Sequence, residues 1–264
     1  MTDTDRERLR QTFTEDAELY DRARSGYPAR MYEDLAELTG LKPDDHVLEL
    51  GCGTGQATVS LARQGYRVTA VELGAGMATV ARRNLASFPD VEVVNSSFED
   101  WPLPSRPFDV VFSATAFYWI DPDVRMDKSA DALRLGGALA TVTTHHVKGG
   151  SEALFARFQD FYERFDPSTP PGLRLEPGDD IPCDTSDLES SERFGPPEFR
   201  RYEWDLDYST QEYLDVLRTY SGHRALDPAQ RDGLLGAIGD HIDRNGGRIT
   251  KRYMTELRVT HRVG

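Results

Sequence analysis

From His46 onward, short apolar runs alternate with stretches of helical periodicity. The runs are His46-Val-Leu-Glu-Leu50, Arg67-Val-Thr-Ala-Val71, Val91-Glu-Val-Val94, Phe108-Asp-Val-Val-Phe112 and Ala138-Leu-Ala-Thr-Val142. Apolar segments this short, bounded by turn residues, read as strands buried on both faces. Helices fill the gaps between them, with Gly65 and Gly136-Gly137 expected as C-terminal stops. A strand-helix-strand rhythm of this kind builds a parallel sheet with helices on both of its faces.

The flanks follow other patterns. Residues 1–40 read as helical, with Met31 to Leu38 following Pro28, a residue suited to a first helical turn, and ending at Thr39-Gly40. Before that helix, Tyr20 to Pro28 is a turn-prone stretch rich in Tyr and Arg. Beyond Gly149, Glu152 to Tyr162 predicts a helix and the Pro-rich stretch from Pro167 to Pro197 a loop or lid. Tyr202, Trp204, Leu206 and Tyr208 alternate with charged residues, as do Ile249, Tyr253, Leu257 and Val259. Each set predicts a strand with one buried face. With helices near 210–220 and 228–244 between them, these two strands are expected to pair antiparallel at the end of a mostly parallel, seven-stranded sheet. The expected organisation is one compact domain: a helical lid over 1–40, a core over 41–148, and cap helices with the last two strands over 149–264.

A chain of 264 residues fits one such α/β domain, and 38% hydrophobic with 29% charged residues describes a globular chain. The net charge of −14 repels polyanions, and the arginines are scattered among acids with no basic patch, so a nucleic-acid partner is not expected. The N-terminal residues lack the apolar run of a signal peptide and no stretch is long enough to span a membrane, which predicts a cytoplasmic protein. Cys52 and Cys183 have no spacing for a metal or a disulfide framework, so reduced thiols and no metal site are expected.

The chemistry concentrates after the first strand. In Glu49-Leu50-Gly51-Cys52-Gly53-Thr54-Gly55 the glycines let backbone approach a ligand closely, and the helix that follows offers its N-terminal amides. Gln56 stands where a dinucleotide fingerprint would delay its third glycine, which disfavours a nicotinamide cofactor. Glu72 ends the second strand, 21 positions after Gly51, at the offset where an acid reaches the hydroxyls of an adenosine ribose. Glu49 lies on a buried strand, where its carboxylate needs backbone amides or a ligand cation.

Val47-Leu-Glu-Leu-Gly-Cys-Gly-Thr-Gly55, Val71-Glu72, Phe108-Asp-Val-Val111 and Leu135-Gly-Gly137 resemble the class I S-adenosylmethionine (SAM)-dependent methyltransferases over roughly residues 40–148. Tyr20-Asp21 with Arg24 and Tyr27-Pro28, and Ala116-Phe-Tyr-Trp119, are similar to the small-molecule branch related to trans-aconitate methyltransferases. The resemblance implies the Rossmann-like class I fold, SAM as cofactor, and a methyl acceptor that is a small molecule. It implies Gly51, Gly53, Gly55 and Gln56 beneath the methionine moiety, Glu49 behind the loop, and Glu72 on the ribose. Leu73 and Met77 would flank the adenine, Ser97 and the Phe98 amide would meet its edge, and Ala114 closes the fourth strand beside the site. Ser97 departs from the Asp usual in the family, and Glu99 is a compensating acceptor. Tyr20 and Arg24, with Tyr27, could close over the cofactor, Arg24 or a tyrosine hydroxyl facing the methionine carboxylate.

Methyl transfer from a sulfonium needs alignment and exclusion of water more than acid-base help. Phe117, Tyr118 and Trp119 follow the fourth strand and could line the acceptor pocket. His145 and His146, just past the fifth strand, have the imidazole chemistry to take a proton from an acceptor O–H or N–H, with Tyr118 standing where relatives often carry His. His223 is a further histidine in the region of the cap helices. Methylation of an oxygen or nitrogen is therefore expected, with a non-catalytic SAM-binding module and a nicotinamide-dependent oxidoreductase as the alternatives.

Overall fold

The computed structural model describes residues 6, 8–10, 16–189 and 191–264. The rest of the expected N-terminal lid helix lies outside the described residues. Two compact units divide the chain, one of Ser25–Thr144, Cys183–Tyr202 and Thr255–Gly264, the other of Met1–Arg24, His145–Pro182 and Glu203–Met254.

The first unit holds the alternating elements: α2 (Ala29–Thr39), β1 (His46–Leu50), α3 (Gln56–Arg63), β2 (Arg67–Glu72), α4 (Ala75–Asn84), β3 (Val91–Asn95), β4 (Phe108–Ala114) and α5 (Pro122–Ala132). β1 pairs in parallel with β2 and β4, and β2 with β3. β5 (Leu133–His146) pairs in parallel with β4, and the sheet order is β3-β2-β1-β4-β5-β7-β6 with β6 at Glu198–Ser209 and β7 at Arg248–His261. Successive residues of β1 serve opposite faces. Val47 joins the core under α2 and α3, with Met31, Leu35 and Leu61, while Leu48 and Leu50 join the core that includes Phe108, Val111 and Met126 of α5.

β7 runs antiparallel to β5: Gly136 donates to the Arg262 carbonyl and Val147 to that of Arg252. It is also antiparallel to β6, where Arg201 meets Glu256, Asp205 meets Arg252 and Asp207 meets Thr250. The seven strands and the antiparallel closing pair are those that the hydrophobic pattern predicts.

Three local expectations are corrected. Gly136 and Gly137 do not cap a helix, because α5 ends at Ala132 and both glycines lie inside β5. A Cβ on Gly137 would stand 2.9 Å from the carbonyl oxygens of both Arg134 and Asp109, and the β4-β5 register shifts there, so the glycines carry a bulge. His145 and His146 are the last residues of β5 rather than the loop beyond it. β7 does not keep a solvent face, since Glu256 and Arg258 are buried. Its place between β5 and β6 covers both sides, and each charge finds a partner. Arg201 binds Glu256 at 2.5 Å, while Arg258 binds Asp187 at 2.6 Å and donates to Thr141.

The second unit contains α1 (Ala17–Ala23), α6 (Glu152–Phe165), α8 (Thr210–Arg218), α9 (Ser221–Ala225) and α10 (Pro228–Arg244), the intervening α7 (Ser186–Glu189) belonging to the first unit. Asp16 caps α1 and Ser209 closes a capping box on α8 with Glu212. Phe155, Phe158, Tyr213, Leu217, Leu234, Ile238, Ile242 and Tyr253 form its core. Among the described residues no helix is long and apolar enough to cross a membrane.

Candidate functional site

The loop after β1 is a left-handed turn repeated three times. Gly51, Gly53 and Gly55 have φ of 69°, 60° and 97°, a region that side chains rarely adopt. Gly51 is also pressed from the side, because a Cβ there would meet that of Ala116 at 2.5 Å. Three contacts hold the loop: Gly51 N–H donates to Val71, Gly55 N–H to Cys52, and the Asn84 side-chain amide to the Thr54 carbonyl at 2.9 Å. Gln56 opens α3 and turns its amide onto Thr54 Oγ1 at 2.6 Å.

Glu72 is fixed from two sides. Its Oε2 accepts from Gly53 N–H at 2.9 Å and its Oε1 from Gly74 N–H at 2.7 Å. Asn95 clamps the following turn by donating to the carbonyls of Glu72 and Leu73, both at 2.9 Å. No sequence signal singled out Asn84 or Asn95, whose amides act across 30 and 23 positions respectively.

Behind the loop, Glu49 is 1% exposed and its Oε2 has no hydrogen-bond partner among the described residues. Burial, reinforced by the Glu72 carboxylate, pushes the Glu49 carboxyl up to about 7. No backbone amide reaches Oε2 among the described residues, which leaves it the ligand cation as the other expected partner. A buried acceptor of this kind matches a cationic ligand group, and with the Glu72 carboxylate fixed at the end of β2 it makes the residues fit the cofactor that the resemblance implies.

Next to Glu72, Leu73 is 40% exposed, whereas Met77 is buried in α4. Ser97 donates to Asp100 at 2.7 Å and accepts from the Asp100 amide, so the position where the family usually has Asp carries a serine bound to an Asp. Phe98 is buried with Lys128 over its ring, and Glu99 accepts from the Asp121 amide. Ala114 ends β4, where Thr115 has a positive φ of 55° and shares a 2.7 Å hydrogen bond with Tyr27. Phe117 is absorbed by the core with Arg125 over its ring, leaving Tyr118 exposed and Trp119 half-buried in the same short turn.

Other predicted residues fall in the second unit. Arg24 lies over Tyr20 and, at 4.4 Å, over the ring of Tyr220. The His146 ring packs edge-on against Phe155 at 4.4 Å, and its Nε2 is buried without a hydrogen-bond partner among the described residues. Burial and the Lys251 ammonium pull its imidazole down to about 2, far below the ordinary value that made it attractive as a base. His223 accepts or donates to Tyr162 Oη at 2.9 Å and is lowered to about 4, first by burial and then by Lys251. His146, Tyr162 and Tyr213 line a cavity of about 650 Å³ together with Phe155, Phe158 and Gln159. No group of three His, Cys, Asp or Glu among the described residues could hold a metal ion.

Residues 47–137 match the family model of a methyltransferase domain. An uncharacterized methyltransferase of Mycobacterium bovis is 33% identical over 123 residues, 47% of this chain and 48% of that protein. The trans-aconitate 2-methyltransferase of Deinococcus radiodurans is 30% identical over 51% of this chain and 50% of its own length. The matches thus span about half the length of these relatives. Among solved structures, that of a putative type II methyltransferase from Anaeromyxobacter dehalogenans superposes over 89% of this chain and 97% of its own, with a TM-score of 0.62 at 23% identity.

Proposed function

We propose that the chain, whose residues 47–137 match the family model of a methyltransferase domain, binds SAM as a class I methyltransferase and transfers its methyl group to an oxygen or nitrogen of a small-molecule acceptor. The observation that carries this reading is Glu72, its carboxylate fixed by two glycine amides at the end of β2 beside the glycine loop. Bound there, SAM supplies a methyl on a sulfonium, which an acceptor lone pair takes by in-line displacement.

The residues then divide the work by position. Gly51, Gly53 and Gly55 allow close backbone approach, Gln56 and Thr54 brace the start of α3, and Glu49 receives the ammonium of the methionine moiety. Glu72 takes the ribose hydroxyls. Leu73 covers one face of the adenine with Met77 beneath it. Ser97, the Phe98 amide and Ala114 border the adenine edge, and Asp100, held by Ser97, is the acidic group the serine position appeared to lack. His146 is too weak a base to take an acceptor's proton, which leaves that step to Tyr118, on the unit that carries the glycine loop, or to solvent. The segments outside 47–137 set the choice of acceptor, and the small-molecule relative of Deinococcus radiodurans supports that class.

Calorimetric titration of the full chain with SAM and its demethylated product, followed by product analysis over a panel of hydroxylated and amine metabolites, tests the reading. Binding of both, with a methylated product, is expected. Tight binding of NADH without SAM binding would reject it. SAM binding with no product across a broad panel would favour the non-catalytic module.

A further inference from the structure

Lys251 on β7 is 3% exposed. Its Nζ donates to Tyr220 Oη at 2.9 Å and lies 4.6, 5.2 and 6.0 Å from the ring centroids of Tyr253, Tyr220 and Tyr213. Among the described residues no carboxylate pairs with it. Its strand neighbours are treated differently, since Arg252 is bidentate on Asp205 and Arg258 on Asp187. In a chain with 45 acidic residues and a charge of −14, the one buried lysine of this strand is left among phenols. Ring faces offset only part of the cost of desolvating an ammonium.

The missing negative charge has two possible sources, the phenol of Tyr220 or a ligand. The cavity beside this cluster favours the ligand. His146 and Tyr213 belong to its wall, as does Tyr162, whose hydroxyl pairs with His223. Charge is weakly screened in such a core, and the Lys251 ammonium depresses the basicity of both His146 and His223. Within the lining, Lys148 and Arg174 balance Glu152 and Glu176, and Lys251, behind the wall with its Nζ 6.0 Å from the Tyr213 ring, adds a charge that no carboxylate offsets among the described residues. Most of the remaining wall is apolar, with Phe155, Phe158, Leu173, Leu175 and Ile181, and Gln159 and Thr169 add polar groups. A cavity of about 650 Å³ is the size that encloses a small organic molecule.

We infer that this cavity binds a molecule with an aromatic or branched apolar body and a single carboxylate, the carboxylate resting at the His146 and Tyr213 end in the field of Lys251. A doubly charged phosphate would need a second uncompensated cation. The cavity and Lys251 lie within the second unit, so the inference stands independently of the methyltransferase reading.

The test is calorimetric binding of 3-phenylpropionate and its neutral isostere 3-phenylpropanamide to the full chain, with the demethylated cofactor titrated separately. The acid should bind roughly ten-fold or more tightly than the amide. Lys251→Met should bring the ratio close to one, and Lys251→Arg should keep it. Equal affinity for acid and amide in the parent protein, or binding of neither while the demethylated cofactor binds, overturns the inference and leaves the proposed activity standing. The same holds if a tyrosinate absorbance titrating at about 8 is lost in Tyr220→Phe and the probes are not distinguished, because the phenol then supplies the counter-charge. Failure of the demethylated cofactor alone to bind rejects the activity, and the acid-to-amide ratio still decides the cavity.

Discussion

Glu72 serves the fold and the ligand with the same two oxygens, so its substitution has a cost in both. In Glu72→Ala the amides of Gly53 and Gly74 lose their acceptor, which should destabilise the chain by about 1–3 kcal/mol, and affinity for the demethylated cofactor should vanish. Chemical denaturation and calorimetry on one sample separate the two effects. A folded Glu72→Ala variant with unchanged affinity would sink the assignment. Glu49 makes a pH-dependent prediction. Its folded carboxyl is raised to about 7 from the usual 4.5, so the native state holds a proton that the unfolded chain has released between those values. Stability therefore falls as pH rises through that window, by on the order of 3 kcal/mol. Glu49→Gln removes this slope and should be more stable than the parent protein at pH 8, with the difference shrinking towards pH 4.5. Urea titrations at intervals across the window check the sign. Both carboxylates were legible in the sequence by spacing and by strand position. The unpartnered state of Glu49 was not, nor was Tyr27 on Thr115, because these depend on which side chains three-dimensional packing fails to supply.

Element by element, the hydrophobic pattern located the strands because each buried run is short and bounded by turn chemistry, and β1, β2 and β3 begin where their apolar runs do. β5 shows what such a pattern misses. Leu133-Arg-Leu-Gly-Gly137 has the composition of a helix end, yet it opens a strand of 14 residues, because tertiary pairing with β4 and β7 satisfies its backbone. The charges of β7 misled for a related reason. Alternation predicts a solvent face, but Arg201 and Asp187, distant in sequence, neutralise Glu256 and Arg258 inside the sheet. The bulge gives a test at this scale. Gly137→Ala forces a Cβ against two backbone carbonyls that have no flexible end to yield, so it should lower stability by about 1–3 kcal/mol. Cofactor affinity should be unaltered, since the β1 loop and Glu72 lie on other strands. Thermal denaturation showing no loss would mean that the bulge relaxes freely.

For the whole molecule, charge decides what kind of acceptor can approach. An excess of 14 negative charges raises the cost of bringing up a polyanion, and the arginines that could form a binding stripe are spent on ion pairs such as Arg252 with Asp205, Arg258 with Asp187 and Arg134 with Asp109. A small monoanion meets the same long-range repulsion only once and can be compensated by a single buried cation. Nucleic-acid affinity, by contrast, grows from releasing many counterions and requires several cations in register. A fluorescently labelled single-stranded RNA should therefore show no anisotropy change with this protein even at low ionic strength, where such binding is strongest. Binding that weakens steeply with added salt would reveal a basic surface that the ion pairs do not consume, and would move the acceptor from a small molecule to a polynucleotide.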